Sequence, residues 1–402
     1  MDARTACIDK QQIYRQYAGM FARTAEPPAR SFFLFGPRGT GKSTWLRHVL
    51  PDALWFDLLR THTILALSRQ PQSFRQEVEA QPRGRWVVID EVQRLPTLLN
   101  EVHALLSERP GAWRFALSGS SARKLRRLDV NLLAGRAINR QFFPLTAAEI
   151  GRTFDVERAL RFGVLPEIQS EPDHAVEILE AYVTNYIREE ILQEALVRNL
   201  ESFARFLEVA AIMNGQVVNV AGIARDAAVA RPTVQGYFAT LIDTLVGVWL
   251  PAWRKRAKVK EVASPKFYFF DPGVARALAG RVREPLEASE RGFLLETLVL
   301  HELRSAQAYQ GLGGQLHYWR TPSGSEVDFV WTRGARAIGV EVKASKVWKT
   351  GHGAALKSLV ADGRLTSGHG VYTGSAELKD GPLRVWPVKP FLARLASGEI
   401  LG

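Results

Sequence analysis

Two groups of residues in this 402-residue sequence have the types and spacing that phosphate chemistry requires. The first is Gly36-x-x-x-x-Gly41-Lys42-Ser43-Thr44, with Gly39 inside the loop. Glycines at such positions let the backbone double back so that several N–H groups point at phosphate oxygens, and a following helix adds its positive N-terminal end. Lys42 would reach the β- and γ-phosphates of ATP, and the Ser43 hydroxyl would ligate Mg²⁺. Asp90-Glu91 supplies the partner acids: Asp90 would hold Mg²⁺ through water, and Glu91 would polarise the attacking water. Ser118 and Ser120, in the run Ser118-Gly119-Ser120-Ser121, suit sensing of the γ-phosphate or placement of that water. Arg136, in Leu-Ala-Gly-Arg, is the candidate for an arginine offered to a neighbouring subunit's nucleotide, with Arg123 and Arg140 as rivals. Such a residue typically contributes about 10³ to 10⁵ in rate.

The second group lies near the C-terminus in "GSEVDFVWTRGARAIGVEVKAS", where Asp328, Glu341 and Lys343 stand out. Two readings are open. The three charges could decorate solvated strand faces, or Asp328 and Glu341 could be hard oxygen ligands for Mg²⁺, with Mn²⁺ a possible substitute, beside a lysine facing a phosphodiester.

The elements that must position these residues can be read from periodicity. "SFFLF" is a short apolar run, hence a buried strand, leading through the glycines into a helical pattern at Trp45, Leu46 and Val49. "RWVVIDE" and "WRFALSGS" are further strands, ending at the acids and at the serines. From Glu171 to Leu200 the spacing predicts helix, a lid or connecting bundle. Next come three helices near Phe203–Met213, Val220–Asp226 and Pro232–Leu245, then strands Val246–Trp253 and Lys266–Phe270 around "RKRAKVKE". That order suggests a winged helix module, with Arg254, Lys255, Arg256, Lys258 and Lys260 on a basic wing over DNA phosphates, although such modules also dock proteins. From Glu290 the order is helix, three strands, helix, strand. Along the second and third of these strands, alternation places Glu341 and Lys343 on one face and Ile338, Val340 and Val342 on the other, and opposes Asp328 to Val327, Phe329 and Trp331. Each strand is thus expected to bury one apolar face and concentrate its charge on the other.

With these residues in place, the chain resembles a prokaryotic family of AAA-type P-loop ATPases with a C-terminal region of poorly known function. "DEVQ", "SGSS" and "LAGR" match its ATPase motifs, and "FGVLPEI", "AYVTNYIREEIL" and "SPKFYFFDPGVARAL" resemble its middle-region hallmarks. The usual Gly-Gly before an aromatic and Pro is Phe162-Gly163-Val164-Leu165-Pro166 here. The C-terminal element order resembles the PD-(D/E)XK nucleases and archaeal-type Holliday junction resolvases. That resemblance adds Glu296, on the first helix, as a holder of a second metal or of its water; the residue before the first acid, often Pro, is Val327 here.

The resulting expectation is an α/β chain: an AAA-type P-loop ATPase domain over residues 1–150, a helical lid at 151–200, a winged helix-turn-helix domain at 201–285, and a restriction-endonuclease-like αβββαβ domain at 286–402. Composition fits. Fifty-three Lys+Arg against 41 Asp+Glu give a net charge of +12, which favours a polyanionic partner without specifying one. A single cysteine, Cys7, allows neither an internal disulfide nor a cysteine zinc site. The polar N-terminus and the lack of a long apolar run point to the cytoplasm and away from membranes. ATP and Mg²⁺ are the expected cofactors, and DNA, duplex or branched, and further copies of the chain, with a hexameric ring as one arrangement, the expected partners. Function divides between an ATP-dependent DNA-processing enzyme that cuts DNA, a DNA remodeller whose nuclease-like domain only grips, and a regulatory switch that binds a protein.

Overall fold

The computed structural model describes residues 21–120, 133, 135–187, 199–254 and 264–402. The first third alternates strands and helices: β1 (Phe32–Phe35), α1 (Lys42–Val49), β2 (Leu54–Asp57), α2 (Thr61–Arg69), α3 (Pro71–Glu79), β3 (Trp86–Asp90), α4 (Leu98–Glu108), β4 (Arg114–Gly119) and β5 (Ile138–Gln141). All five strands run parallel in the order β2-β3-β4-β1-β5. A parallel sheet carries helices on both faces, so its central strands are apolar throughout. Phe33, Val87, Ile89, Phe115 and Leu117 pack against α2, α3 and α4, while Phe32, Leu34, Val88 and Ala116 pack against Trp45 and Leu46 of α1. The C-terminal ends of β1, β3 and β4 therefore emerge side by side.

The middle region is more broken than the periodicity predicts. After α5 (Ala147–Ile150) and α6 (Val156–Phe162) come α7 (Pro166–Ser170), a 3-10 turn at Pro172–His174, α8 (Ala175–Ala181) and a π-helical turn at Tyr182–Ile187. Pro172 has no N–H to extend α7, so it starts a new turn and the next helix begins at Ala175 rather than Glu171. Residues 188–198 lie outside the described residues. Helices α9 (Leu200–Ile212), α10 (Val220–Asp226) and α11 (Arg231–Asp243) then lead into an antiparallel ribbon of β6 (Gly247–Leu250) and β7 (Lys266–Phe269). Asn199 and Asn219 cap α9 and α10 through their side-chain oxygens.

Helix α12 (Pro272–Leu278) locks this region together. The buried Asp271 carboxylate accepts the N–H of Val274 and, across the chain, of Val164. A Cβ on Gly163 would lie 1.9 Å from that carboxylate, so only glycine fits. Burial pushes the Asp271 carboxyl up to about 6 against these backbone hydrogen bonds.

The C-terminal part comprises α13 (Ala288–Tyr309), β8 (Gln315–Arg320), β9 (Glu326–Arg333), β10 (Arg336–Lys343), α14 (Ala354–Ala361), β11 (Ser367–Tyr372), β12 (Leu378–Asp380), β13 (Leu383–Pro387) and α15 (Val388–Ala396). The helix, three strands, helix, strand order is present, followed by a hairpin and a helix that the sequence reading did not include. The sheet order is β12-β13-β11-β10-β9-β8, with β10, β11 and β13 parallel. Of the two readings left open, the solvated strand does not hold: neither face of β9 or β10 is left open to solvent along its length. Phe329, Trp331, Ile338, Val340 and Val342 share a core with Leu295, Leu298 and Val299 of α13. Val327, Val330 and Ala337 pack on Leu356 and Leu359 of α14. Helices cover both faces, so Asp328 and Glu341 are only 4% and 5% exposed.

Candidate functional site

The phosphate loop leaves β1 and closes at Gly41, whose φ of 86° is left-handed and favours glycine. No side chain caps α1, so its first N–H groups are not spent on a cap and face the loop. Lys42 is 5% exposed, and its ammonium donates to the carbonyls of Gly36 at 2.7 Å and Pro37 at 3.0 Å, which holds it within the loop. Thr40 and Arg23 brace the loop from beneath: the Thr40 hydroxyl donates to Pro37 O and Arg23 to Thr40 O. The ring of Tyr182 packs beside Gly39 and its hydroxyl donates to Arg38 O at 2.9 Å.

Asp90, at the tip of β3, accepts hydrogen bonds from Ser118 and Ser43; burial raises its pKa and those hydroxyls oppose the rise. The Ser43 hydroxyl and Asp90 carboxylate already touch, so the donor set expected for Mg²⁺ is assembled and fits that ion. Glu91 sits in left-handed backbone at φ 59°, an uncommon state for a non-glycine residue that occurs at functional positions. Its N–H donates to Ser118 Oγ at 3.1 Å, and its carboxylate accepts from Gln93 and from Ser120 Oγ at 3.3 Å. Gln93, which also reaches Ser120 at 3.0 Å, is the residue sequence reasoning left without a role, although "DEVQ" contains it. Arg136 precedes β5 at the end of the sheet opposite the phosphate loop, exposed and 3.0 Å from His103. It cannot serve its own chain's nucleotide from there. Arg140 lies within β5, and Arg123 falls outside the described residues.

The second group converges on a cleft of about 670 Å³, lined by Glu296, Asp328, Glu341 and Lys343. A β-bulge sets the geometry: β9 advances three residues from Val327 to Val330 while β8 advances two from Trp319 back to His317. Bulges re-aim side chains, and Asp328 here turns so that Oδ2 accepts the Val342 N–H at 2.8 Å. Lys343 lies 2.6 Å from Glu341 and 3.8 Å from Asp328. Burial pushes the Glu341 carboxyl well above its usual range, and the Asp328 charge adds to the rise. Glu296 is likewise pushed up, to about 7, by burial and then by Asp328.

Lys266 and Glu326 also line the cleft, with Tyr268 buried behind it, and no motif indicated them. Lys266, the first residue of β7, is 5% exposed and pairs with Glu326, with Glu296 at 3.4 Å and with Asp328 at 3.9 Å. Tyr268 donates to Glu296 at 2.7 Å. Glu296 thus engages a lysine and a tyrosine. Among the described residues, no three His, Cys, Asp or Glu side chains are arranged to hold a metal ion together. Asp328 and Glu341 remain, and Glu341 Oε2 is buried without a hydrogen-bond partner. A buried, unsatisfied carboxylate oxygen demands a partner, and two carboxylates with water suit Mg²⁺ or Mn²⁺.

Of the basic wing, Arg254 is exposed, whereas Lys255, Arg256, Lys258 and Lys260 lie outside the described residues. Helix α11 exposes Arg231, Gln235, Gly236 and Ala239. No helix among the described residues is long and apolar enough to cross a membrane.

Comparisons with known proteins match three successive stretches of the chain. Residues 29–151 match the AAA domain family, residues 153–284 a domain of unknown function (DUF8612), and residues 291–391 another (DUF4143). The first third is therefore an AAA-type P-loop ATPase domain. Uncharacterized proteins of Mycobacterium bovis and Mycobacterium tuberculosis are each 29% identical over 361 residues, covering 85% of this chain and 77% of theirs. Among solved structures, a single-substitution variant of Thermotoga maritima RuvB is 17% identical with a TM-score of 0.30, covering 60% of this chain and 88% of its own. The Aeropyrum pernix ORC2 protein in its ADP form is 14% identical with a TM-score of 0.30, covering 67% and 90%. At scores that low, nothing is carried over from either protein.

Proposed function

We propose that this protein is an ATP-dependent DNA-processing enzyme that couples its P-loop ATPase to DNA binding and to metal-dependent cleavage of the DNA backbone in the C-terminal cleft. The observation that supports it most is the gathering of Asp328, Glu341 and Lys343 in one cleft, with a buried, unpartnered oxygen on Glu341. In the ATPase site, the loop amides and Lys42 hold the phosphates, Ser43 and Asp90 hold Mg²⁺, and Glu91, steadied by Gln93 and Ser120, aligns the attacking water. Arg136 acts on a neighbouring copy's nucleotide, which implies an oligomer. The third helix of the winged helix module, α11, enters a major groove while Arg254, Lys255, Arg256, Lys258 and Lys260 lie over phosphates. In the cleft, Asp328 and Glu341 hold the divalent ion and Lys343 offsets charge building on the scissile phosphate. The ion, when bound, lowers the pKa of its water and neutralises phosphate charge.

A second reading has its own support. Lys266 and Lys343 already neutralise much of the acid in the cleft, as a domain that grips DNA without cutting it would require. Incubation with labelled linear, forked and four-way DNA, with and without ATP and with Mg²⁺ or Mn²⁺, separates the two. Metal-dependent nicking supports the enzyme; DNA-stimulated ATP hydrolysis with no product in either metal supports the clamp. A protein indifferent to all three DNAs would sink both.

A further inference from the structure

We infer that His352 is a phosphate-binding residue of the acidic cleft: a neutral imidazole, held with its proton on Nε2, that donates one hydrogen bond to a non-bridging oxygen of bound DNA. This rests on the reading that the cleft receives DNA, and it holds whether the backbone is cut there or only gripped.

His352 lies in the loop between β10 and α14 and lines the cleft together with Glu341 and Lys343. That loop is fastened from outside the cleft. The Trp348 ring lies against Gly370, where a Cβ would come within 2.6 Å of it, and Gly370 is the register partner of Glu341 on β11. The Trp348 indole N–H donates to Asp380 at 2.9 Å. Lys357 donates to Asp380 at 2.9 Å and to the Thr350 carbonyl at 3.1 Å. His352 then meets Trp348 edge-on, with ring centroids 5.5 Å apart. Its place beside Glu341 is therefore set by side chains that do not line the cleft.

The backbone N–H of Lys349 donates to His352 Nδ1 at 3.2 Å. A ring nitrogen that accepts a hydrogen bond carries no proton, so the proton of the neutral ring sits on Nε2. Nε2 meets no acceptor among the described residues, and it is the nitrogen left for the cleft. Burial, and then the Lys343 and Lys349 charges, hold the imidazole pKa below its ordinary value, so the ring stays neutral. That state narrows its chemistry. With Nδ1 taken by the loop, the ring has no bare nitrogen to act as a base, and giving up its last proton would leave an imidazolate. What remains is donation to an oxygen with no proton moved. Lys343 and Lys349 beside it are likewise donors only, a set that suits the charged oxygens of a phosphate.

The test reads the tautomer and the contact separately, on the full-length, nucleotide-free protein. Imidazole nitrogen NMR spectra at about pH 7.5, with His352 assigned by its loss in His352→Gln, should show the proton on Nε2. A proton on Nδ1, or on both nitrogens, overturns the inference. Affinity is then measured by fluorescence anisotropy on labelled linear, forked and four-way DNA, in EDTA and in Ca²⁺. His352→Phe, which keeps a flat ring beside Trp348 but loses the donor, should weaken binding about tenfold. His352→Gln, whose amide still donates, should recover most of that loss. Equal affinity of wild type and His352→Phe in both media overturns the inference. So does equal weakening in His352→Gln, which marks a packing role. If His352→Phe does not fold, the wild-type Nε2–H resonance provides the check: it should move when DNA is added, and an unmoved resonance overturns the inference. Wild-type protein that binds none of the three DNAs overturns instead the reading beneath it.

Discussion

The phosphate loop and the acidic cleft both bring charged and polar groups together, but they are assembled differently. The loop is local: Gly36 to Ser43 forms one turn, and its ligands are mostly backbone N–H groups aimed by glycine and by the end of a helix. The cleft draws Lys266, Glu296, Glu326, Asp328, Glu341 and Lys343 from four elements spread over the last third of the chain. A site made of backbone needs few side chains and leaves a motif. A site made of side chains from distant strands must also carry its own counter-charges, because acids at 4–5% exposure cannot rely on water.

That contrast can be broken at its strongest points first. Lys42→Ala should abolish ATP hydrolysis, and Glu91→Gln should bind ATP yet turn it over slowly; wild-type turnover in Glu91→Gln would undo the assignment of β3. Gln93→Ala should slow hydrolysis less than Glu91→Gln with ATP binding unchanged, as measured by steady-state turnover and nucleotide titration. Asp328→Ala or Glu341→Ala should eliminate metal-dependent DNA cleavage and leave ATPase activity intact. A joint loss of both activities would mean that the two sites are not separable. For the wing, each phosphate contact removed among Arg254, Lys255, Arg256 and Lys258 should reduce the slope of log affinity against log salt by about 0.9 on duplex DNA. An unchanged slope would take the wing out of the interface.

The smallest effect concerns stability. Glu302, fully buried in α13, accepts the Ala147 N–H at 2.6 Å, and burial pushes its carboxyl up to about 8. A folded-state value above the unfolded one near 4.5 means that the folded protein binds the proton more tightly. The contribution is therefore fully present below about pH 4.5 and is lost as pH rises towards 8, at about 1.4 kcal/mol per pH unit. Glu302→Gln, neutral at every pH, should melt a few degrees higher than wild type at about pH 8.5 and show no gain at about pH 4.5. An equal gain at both would refute the buried proton.

Much of this was legible in the sequence where chemistry and periodicity coincide. The apolar runs before Gly36, Asp90 and Ser118 could only be buried strands, and the structure sets their ends together. The helix and strand order of the C-terminal part was equally plain. Two things were not. Alternation along β9 and β10 left a solvated second face open as one reading, because one strand's pattern cannot reveal that α14 covers it. Lys266 read as an ordinary strand residue, since its meaning comes from acids 30 to 62 positions away that only the folded chain brings to it. Gln93 was visible in the motif but acquires a purpose only from the left-handed turn at Glu91.

Helix α13 has one more property. Near its C-terminal end, Tyr309 accepts hydrogen bonds from the Phe143 N–H and from Arg23, whose other nitrogen grips Thr40 under the phosphate loop. Closer to its N-terminal end, the same helix carries Glu296 at the floor of the cleft. Thirteen residues of α-helix make a strut of about 20 Å between them. A rigid tilt of about 5° about the tyrosine end would carry the carboxylate through roughly 2 Å. That distance separates a contact pair from a solvent-separated one, and a single rod runs from the brace beneath the phosphate loop to the acidic cleft.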